Sequence, residues 1–212
     1  MITAYLFDLD GTLVDSMNNG WVKMLEGFLQ KRKIACSSEL IKEVIALGLQ
    51  GVAENFKAQF ALPESVEEIV AEFIAMLKNK YETEIPAKPR VAETLRALKA
   101  RGASVNVLTA SPHIFLDPSM KRLGLYDLFD NLWSVEDFPV TKADPLIYKL
   151  AAKRLGRNVE ECAMVDDSIA VIHAARESGM YTVGVYDDFS SAFEREMKKS
   201  SDKYIYSLEE LL

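Results

Sequence analysis

Four short stretches of the chain are almost wholly apolar: AYLFDLD from Ala4, ASVNVLT from Ala103, CAMVDD from Cys162 and YTVGVY from Tyr181. Each has the length of a strand, and each is followed by a turn signal or a helix-like segment. Hydrophobicity that is continuous rather than alternating marks strands covered on both faces, as in a parallel sheet flanked by helices. The expected fold is α/β, with a doubly wound parallel sheet. One connection is too long for it. From Asp10 to Ala103 is 93 positions, whereas a strand-helix-strand crossover needs about a dozen residues plus short loops.

The insertion, residues 16–86, is patterned as helix. Trp21, Leu25, Phe28 and Leu29 fall on one helical face, as do Ile69, Val70, Phe73, Ile74 and Leu77. Leu40, Val44 and Leu47 suggest another helix, and Val52 and Phe56 open a further one after the break GLQG. A small helical bundle is expected here, with its apolar stripes as its core. The return segment EIPAKPR carries Pro86 and Pro89, which suits a stiff linker and a hinge opposite one near residues 15–19. The predicted division is a core of residues 1–15 and 87–212 with a helical domain of residues 16–86 inserted after the first strand. No internal repeat interrupts either part.

Composition narrows the chemistry. A length of 212 residues accommodates one good core, or one core and a small satellite. The net charge of −7 leaves no basic footprint, so neither nucleic acid nor an anionic membrane is expected as partner. Cys36 and Cys162 are too few and too unpatterned for a disulfide framework or a zinc site, and Cys162 reads as a buried small hydrophobe. The first apolar run lacks a basic leader and is broken by Asp8, so it is read as neither signal peptide nor membrane span. The expected setting is cytoplasmic, as a monomer or weak dimer.

The polar residues that stop each strand matter most, because ligands of an open parallel sheet bind beyond the carboxyl ends of its strands. The first strand stops at Asp8-Leu9-Asp10-Gly11-Thr12, the second at Thr109-Ala110-Ser111-Pro112 and the third at Asp166-Asp167-Ser168. Ser111-Pro112 and Asp144-Pro145 each read as a helix N-cap followed by the first helical position, and Lys142 lies just before the second. Helix N-termini suit a phosphate. Buried carboxylates as close as Asp8 and Asp10 need a compensating cation. Four carboxylates, a hydroxyl and one ammonium converging on a crevice favour magnesium, which prefers hard oxygen ligands and binds beside substrate phosphates. Asp8 then fits a nucleophile that forms an aspartyl-phosphate, with Lys142 neutralising phosphoryl oxygens, and Asp10 fits the general acid and base. Gly11 allows a sharp turn and a close approach to a ligand.

FDLDGTLVDS, VLTAS, the lysine of TKADPLIYKLAAKRLG and MVDDSIAVIHAARESGM resemble, in order, the four motifs of the haloacid dehalogenase-like hydrolases. The helical insertion resembles the cap that phosphoglycolate phosphatases and β-phosphoglucomutases place between the first two motifs. The resemblance implies a Rossmann-like core in which Asp8 is nucleophile and magnesium ligand, while Asp10 is acid/base and lends the metal its backbone carbonyl. It further implies that Thr109 and the Ala110 amide hold phosphoryl oxygens, with Ser111 in the same loop. Lys142 steadies the nucleophile, Asp167 ligates magnesium, and Asp166 is a second ligand, direct or through water.

Asp10 argues against dehalogenation and against the Schiff-base phosphonatases, both of which lack it. Mutases carry a histidine where this chain has Gly20, so a phosphomutase is the alternative to a phosphatase; a catalytically idle relative that binds a phospholigand or a partner is another. A further aspartate common in the fourth motif is replaced by Val171, with Asp166 as its substitute. In capped relatives a loop between cap helices reaches over the site, which nominates Gln50 in LGLQG, together with Asn19 and Lys23 near the hinge, as contacts to the leaving group. The expected substrate is a small phosphorylated metabolite. His113, His173, Asp187 and Asp188 receive no role.

Overall fold

The computed structural model describes residues 1–212, apart from the side chains of Lys42 and Ala46. Packing divides the chain into two units, Met1–Asp15 with Pro86–Leu212, and Ser16–Ile85.

The chain starts in the first unit with strand β1 (Ala4–Phe7) and then enters the second. There it makes a π-helical turn (Met17–Val22), α1 (Lys23–Lys31), α2 (Ser38–Val44), α3 (Gly48–Phe60) and α4 (Val66–Thr83). Helix α4 opens on a reciprocal cap, with the Ser65 hydroxyl accepting from Glu68 N–H and the Glu68 carboxylate accepting from Ser65 N–H. The core of this unit is an aromatic trio from three helices: Phe28 and Phe73 meet edge-on at 4.7 Å, and Phe56 lies 6.0 Å from Phe28. The Arg32 guanidinium covers Phe28 at 3.7 Å and pairs with Glu64 and Glu72.

The buried faces differ from the expected ones in two places. The π turn shifts the register by about one residue, so Met24 joins Leu25, Phe28 and Leu29 inside while Trp21 is half-exposed. In α2 and the 3-10 turn that follows it (Ile45–Leu47), Ile41, Val44 and Ile45 are buried, whereas Leu40 is half-exposed and Leu47 exposed. GLQG is not a break, because α3 begins at Gly48 and runs through Gly51. Gln50 therefore lies in the first turn of a helix rather than on a loop.

The first unit continues through α5 (Val91–Ala100), β2 (Ser104–Thr109), α6 (His113–Arg122), β3 (Asn131–Ser134), α7 (Leu146–Arg154) and β4 (Cys162–Asp166). It closes with α8 (Ile169–Ser178), β5 (Tyr181–Val185), α9 (Glu194–Ser200) and β6 (Lys203–Ile205). The strands form one parallel sheet in the order β3-β2-β1-β4-β5-β6. Ala4, Leu6, Leu108, Cys162 and Met164 pack on one face against Ile147, Tyr148 and Ala151 of α7 and Ala174 and Ala175 of α8. Phe7, Val105, Val107 and Val165 alternate with them and are equally buried. That double burial is why these strands read as unbroken apolar runs. β3 and β6, which the pattern does not reveal, are the two edges; they are short, mostly half-exposed and mixed in polarity.

Strand β1 is the switch point of the sheet. The chain leaves it toward β2 and β3 on one side and β4, β5 and β6 on the other, which opens a crevice at the carboxyl ends of β1, β2 and β4.

Candidate active site

Asp8 follows β1 directly, Asp166 ends β4, and Asp167 begins the turn into α8. Each can bring a carboxylate oxygen within 4.8 Å of the others. Asp8 and Asp166 are buried, and Lys142 bridges them: its ammonium donates to Asp8 Oδ1 at 2.5 Å and to Asp166 Oδ2 at 2.6 Å. The Tyr148 hydroxyl donates to the Lys142 carbonyl at 2.6 Å, tying the lysine to the first turns of α7. The other oxygen of Asp166 accepts from Ser168 N–H at 2.8 Å. Asp167 accepts from the Thr12 hydroxyl at 3.4 Å.

Gly11 has φ +75°, and a Cβ there would sit 2.7 Å from the Asp167 carboxylate. The close approach it permits is thus to Asp167, while its own N–H donates to the Val14 carbonyl at 3.0 Å.

Asp10 is not part of the carboxylate cluster. Its carboxylate accepts a hydrogen bond from the Ser111 hydroxyl. Ser111 is therefore not the N-cap of the next helix. Pro112, with extended ψ of 158°, takes that place, and α6 starts one residue later than the Ser-Pro pattern indicates. The Thr109 hydroxyl is buried and accepts from Ser111 N–H at 3.0 Å, which folds the loop back on itself, and Ala110 lies exposed between them. At the other Pro signal the helix also starts one residue later than the pattern indicates, at Leu146, but the aspartate does cap it. Pro145 is helical, and Asp144 Oδ1 accepts from Leu146 N–H at 2.9 Å.

The electrostatics follow from burial. Desolvation disfavours the charge on Lys142, but Asp166 and Asp8 outweigh it and raise its pKa further, so the ammonium persists. Burial pushes the Asp166 carboxyl up to about 7, with Asp8 adding to the rise and Lys142 opposing it. Asp167 is raised well above the usual carboxylate range by burial, then by Asp166, Asp8 and Asp187, against the pull of Lys88. One ammonium cannot offset three crowded carboxylates, so the cluster must hold a proton or a further cation. An all-oxygen donor set with surplus negative charge fits a hard divalent ion.

Sequence reasoning missed the pair beside this cluster. Asp187, read as a turn residue, does accept from Phe189 N–H at 2.9 Å, but it is also buried and bonded to Lys88 at 2.5 Å. Its place just past the end of β5 was the available signal. In the helical unit, the exposed Lys23 ammonium donates to Asn19 Oδ1 at 2.8 Å on the π turn, and the Gln50 amide donates to Glu54 at 2.9 Å.

An acidic, cation-ready cluster with an embedded lysine, at the switch point of a doubly wound sheet, defines the site of an α/β enzyme. The model of the haloacid dehalogenase-like hydrolases matches residues 2–179. The pyrophosphatase PpaX of Bacillus velezensis is 28% identical over 185 residues, covering 87% of this chain and 83% of the relative. A phosphoglycolate phosphatase of Yersinia pseudotuberculosis is 29% identical over 189 residues, covering 87% and 81%. Among solved structures, CbbY of Rhodobacter sphaeroides in complex with phosphate shares the fold, with a TM-score of 0.79 at 22% identity over 100% of this chain and 96% of that one. The chain belongs to the haloacid dehalogenase-like hydrolases, and its relatives set it among the phosphatases of that family. Among the described residues no helix is long and apolar enough to cross a membrane.

Proposed function

We propose that the protein is a magnesium-dependent phosphatase of small phosphorylated metabolites that works through an aspartyl-phosphate at Asp8. The observation that carries this reading is the Lys142 ammonium held between Asp8 and Asp166, with Asp167 completing the cluster. Asp8, Asp166 and Asp167 would hold the metal, joined by the Asp10 carbonyl. When bound, it supplies positive charge to the phosphoryl oxygens and screens the repulsion between nucleophile and substrate.

The rest falls to the chain's own groups. Lys142 donates to Asp8 Oδ1 and holds it in place, so an oxygen of Asp8 can form a bond to phosphorus as the ester oxygen departs. Asp10, poised by Ser111, gives that oxygen a proton and then takes one from the water that attacks the phosphoryl group, which restores Asp8. Thr109 and the Ala110 N–H receive the phosphoryl oxygens.

The helical unit, Ser16–Ile85, acts as a cap that excludes water from the first step and admits it for the second. Asn19 on its π turn, Lys23 at the start of α1 and Gln50 on α3 are its candidate contacts to the leaving group. The relatives named for phosphoglycolate and pyrophosphate point to small, highly charged substrates. A phosphomutase is the weaker reading. β-Phosphoglucomutases usually carry a histidine where this chain has Gly20.

The test is phosphate release from phosphoglycolate, pyrophosphate, sugar phosphates, nucleotides and an aryl phosphate, with magnesium and with chelator. Release that needs magnesium and is lost in Asp8→Asn supports the reading. Release that persists in Asp8→Asn refutes the mechanism, and no release from any compound refutes the phosphatase.

A further inference from the structure

His113 opens α6 directly after the loop that carries Thr109, Ala110 and Ser111, and both of its ring nitrogens are engaged. Nδ1 lies 3.1 Å from Asp117 Oδ1, one turn along the same helix, and Nε2 lies 2.9 Å from Asp137 Oδ2, in the turn after β3. A neutral imidazole has one N–H and one lone pair, so it would turn a lone pair toward one of these carboxylates. Only the imidazolium donates to both. The backbone agrees with that geometry, since His113 N–H donates to Glu136 Oε2 at 3.0 Å and places a third carboxylate at the same helix start.

The far end of this clamp is rigid. Asp137 Oδ2 also accepts from Ser134 N–H at 2.9 Å, and Ser134 is the residue of β3 in register with Thr109 of β2. From α7, Arg154 donates to the Asp137 carbonyl at 2.6 Å and stacks on Phe138 at 3.9 Å. His113 therefore ties the exit of the Thr109–Ser111 loop to the strand beside its entrance. The charged groups that face the ring are Asp117 from its own helix and Glu136 and Asp137 from the turn, with Asp127 and Asp130 lining the groove beside it. Asp137 and Asp117, which bond the ring, favour the cation, while Asp130 is paired with Lys99 and the Arg154 guanidinium engages the Asp137 carbonyl.

We propose that His113 is a positioning residue, whose imidazolium bridges Asp117 and Asp137 to hold the Thr109–Ser111 loop in its anion-binding form, so that the loop loosens as His113 loses its proton. The proposal rests on the reading of that loop as the phosphoryl site. Burial lowers the pKa of His113, but its bonds to Asp137 and Asp117 outweigh burial and leave it above the ordinary histidine value. The clamp is thus complete at low pH and released as pH rises through that raised pKa.

The test uses NMR on the full chain, whose two histidines make assignment simple with His173→Gln. Sulfate is the probe, a tetrahedral dianion whose charge is constant over the range. In the wild type, sulfate affinity is expected to fall several-fold, and the Ala110 and Ser111 amides to become more mobile, at the pH where His113 titrates. In His113→Gln the Ala110 and Ser111 amides should be mobile at every pH with no step, leaving only the fall in affinity that the Asp166 carboxyl contributes as it ionises, and Asp137→Asn should move the mobility step to lower pH together with the His113 pKa. A His113 pKa at or below the ordinary value overturns the proposal. So does a mobility step that survives in His113→Gln, or a His113 titration with no change in loop mobility. If these linked titrations appear in a protein that hydrolyses no phosphate ester, the clamp stands and the phosphatase reading falls.

Discussion

Replacing Lys142 with Met removes the ammonium between Asp8 and Asp166 while keeping most of the side-chain volume. Lys142 is 6% exposed, and its partners Asp8 and Asp166 are 10% and 1% exposed at 2.5 and 2.6 Å. The pair Lys78–Glu82, at 3.7 Å with both side chains over a third exposed, sets the other extreme, where removal costs a few tenths of a kcal/mol at about neutral pH. Deleting one partner of a buried network costs about 3–5 kcal/mol, because it strands uncompensated charge. In Lys142→Met two carboxylates are stranded beside a third, so the loss in chelator should reach that range near pH 8 and shrink toward about pH 5, where the folded cluster takes up protons. Saturating magnesium should recover part of it by supplying the missing positive charge. Urea unfolding in a Trp21→Phe background reports the change, since Trp133 of the sheet unit is then the lone tryptophan. A loss below about 1 kcal/mol in chelator would mean that Lys142 behaves as a surface pair, and would refute the charge accounting.

Other outcomes follow from single positions. Gly11→Ala puts a Cβ 2.7 Å from the Asp167 carboxylate at φ +75°, so turnover should fall about a hundredfold and thermal stabilisation by magnesium should vanish; near-normal values would show that Asp167 is not held where the geometry places it. Arg90 has φ +64°, which costs an L-residue about 1–2 kcal/mol, and its exposed contact with Glu209 at 3.5 Å returns little. Arg90→Gly should therefore stabilise the sheet unit by about 0.5–1 kcal/mol in urea, whereas destabilisation would show that the contact or the native backbone is worth more. The raised carboxyls give a pH signature without metal. Folded Asp166 releases its proton only near pH 7 and Asp167 is raised too, while unfolded aspartate releases it near pH 4, so calorimetric stability in chelator should fall between about pH 5 and pH 7. Magnesium should flatten that fall, and a flat or rising profile in chelator would contradict the crowding of the three carboxylates.

The parts legible in the sequence are those in which burial is two-sided or chemistry ends a strand. β1, β2, β4 and β5 announce themselves because both faces are covered, and Asp8, Thr109 and Asp166 stand where each apolar run stops. β3 and β6 escape because an edge strand needs little apolar surface. The helical unit is legible as a bundle but not in register, since one π turn exchanges Trp21 for Met24 and a glycine starts α3 where glycine usually marks a stop. Partners distant in sequence escape as well. Ser111 looks like a cap and instead poises Asp10, 101 positions away; Asp187 looks like a turn and holds Lys88, 99 positions away; His113 looks half-exposed and idle, and bridges two carboxylates. Pattern reveals periodicity and residue type, whereas these contacts are set by how parallel strands bring their carboxyl ends together.

The central claim is that the phosphoryl group passes through Asp8, and trapping it there is the direct measurement. Protein quenched in acid during turnover of a released substrate, then digested and weighed, should carry one phosphoryl group on the β1 peptide, and borohydride should convert position 8 to homoserine. Turnover that leaves the β1 peptide unmodified, or that places the phosphoryl group on another residue, would contradict it.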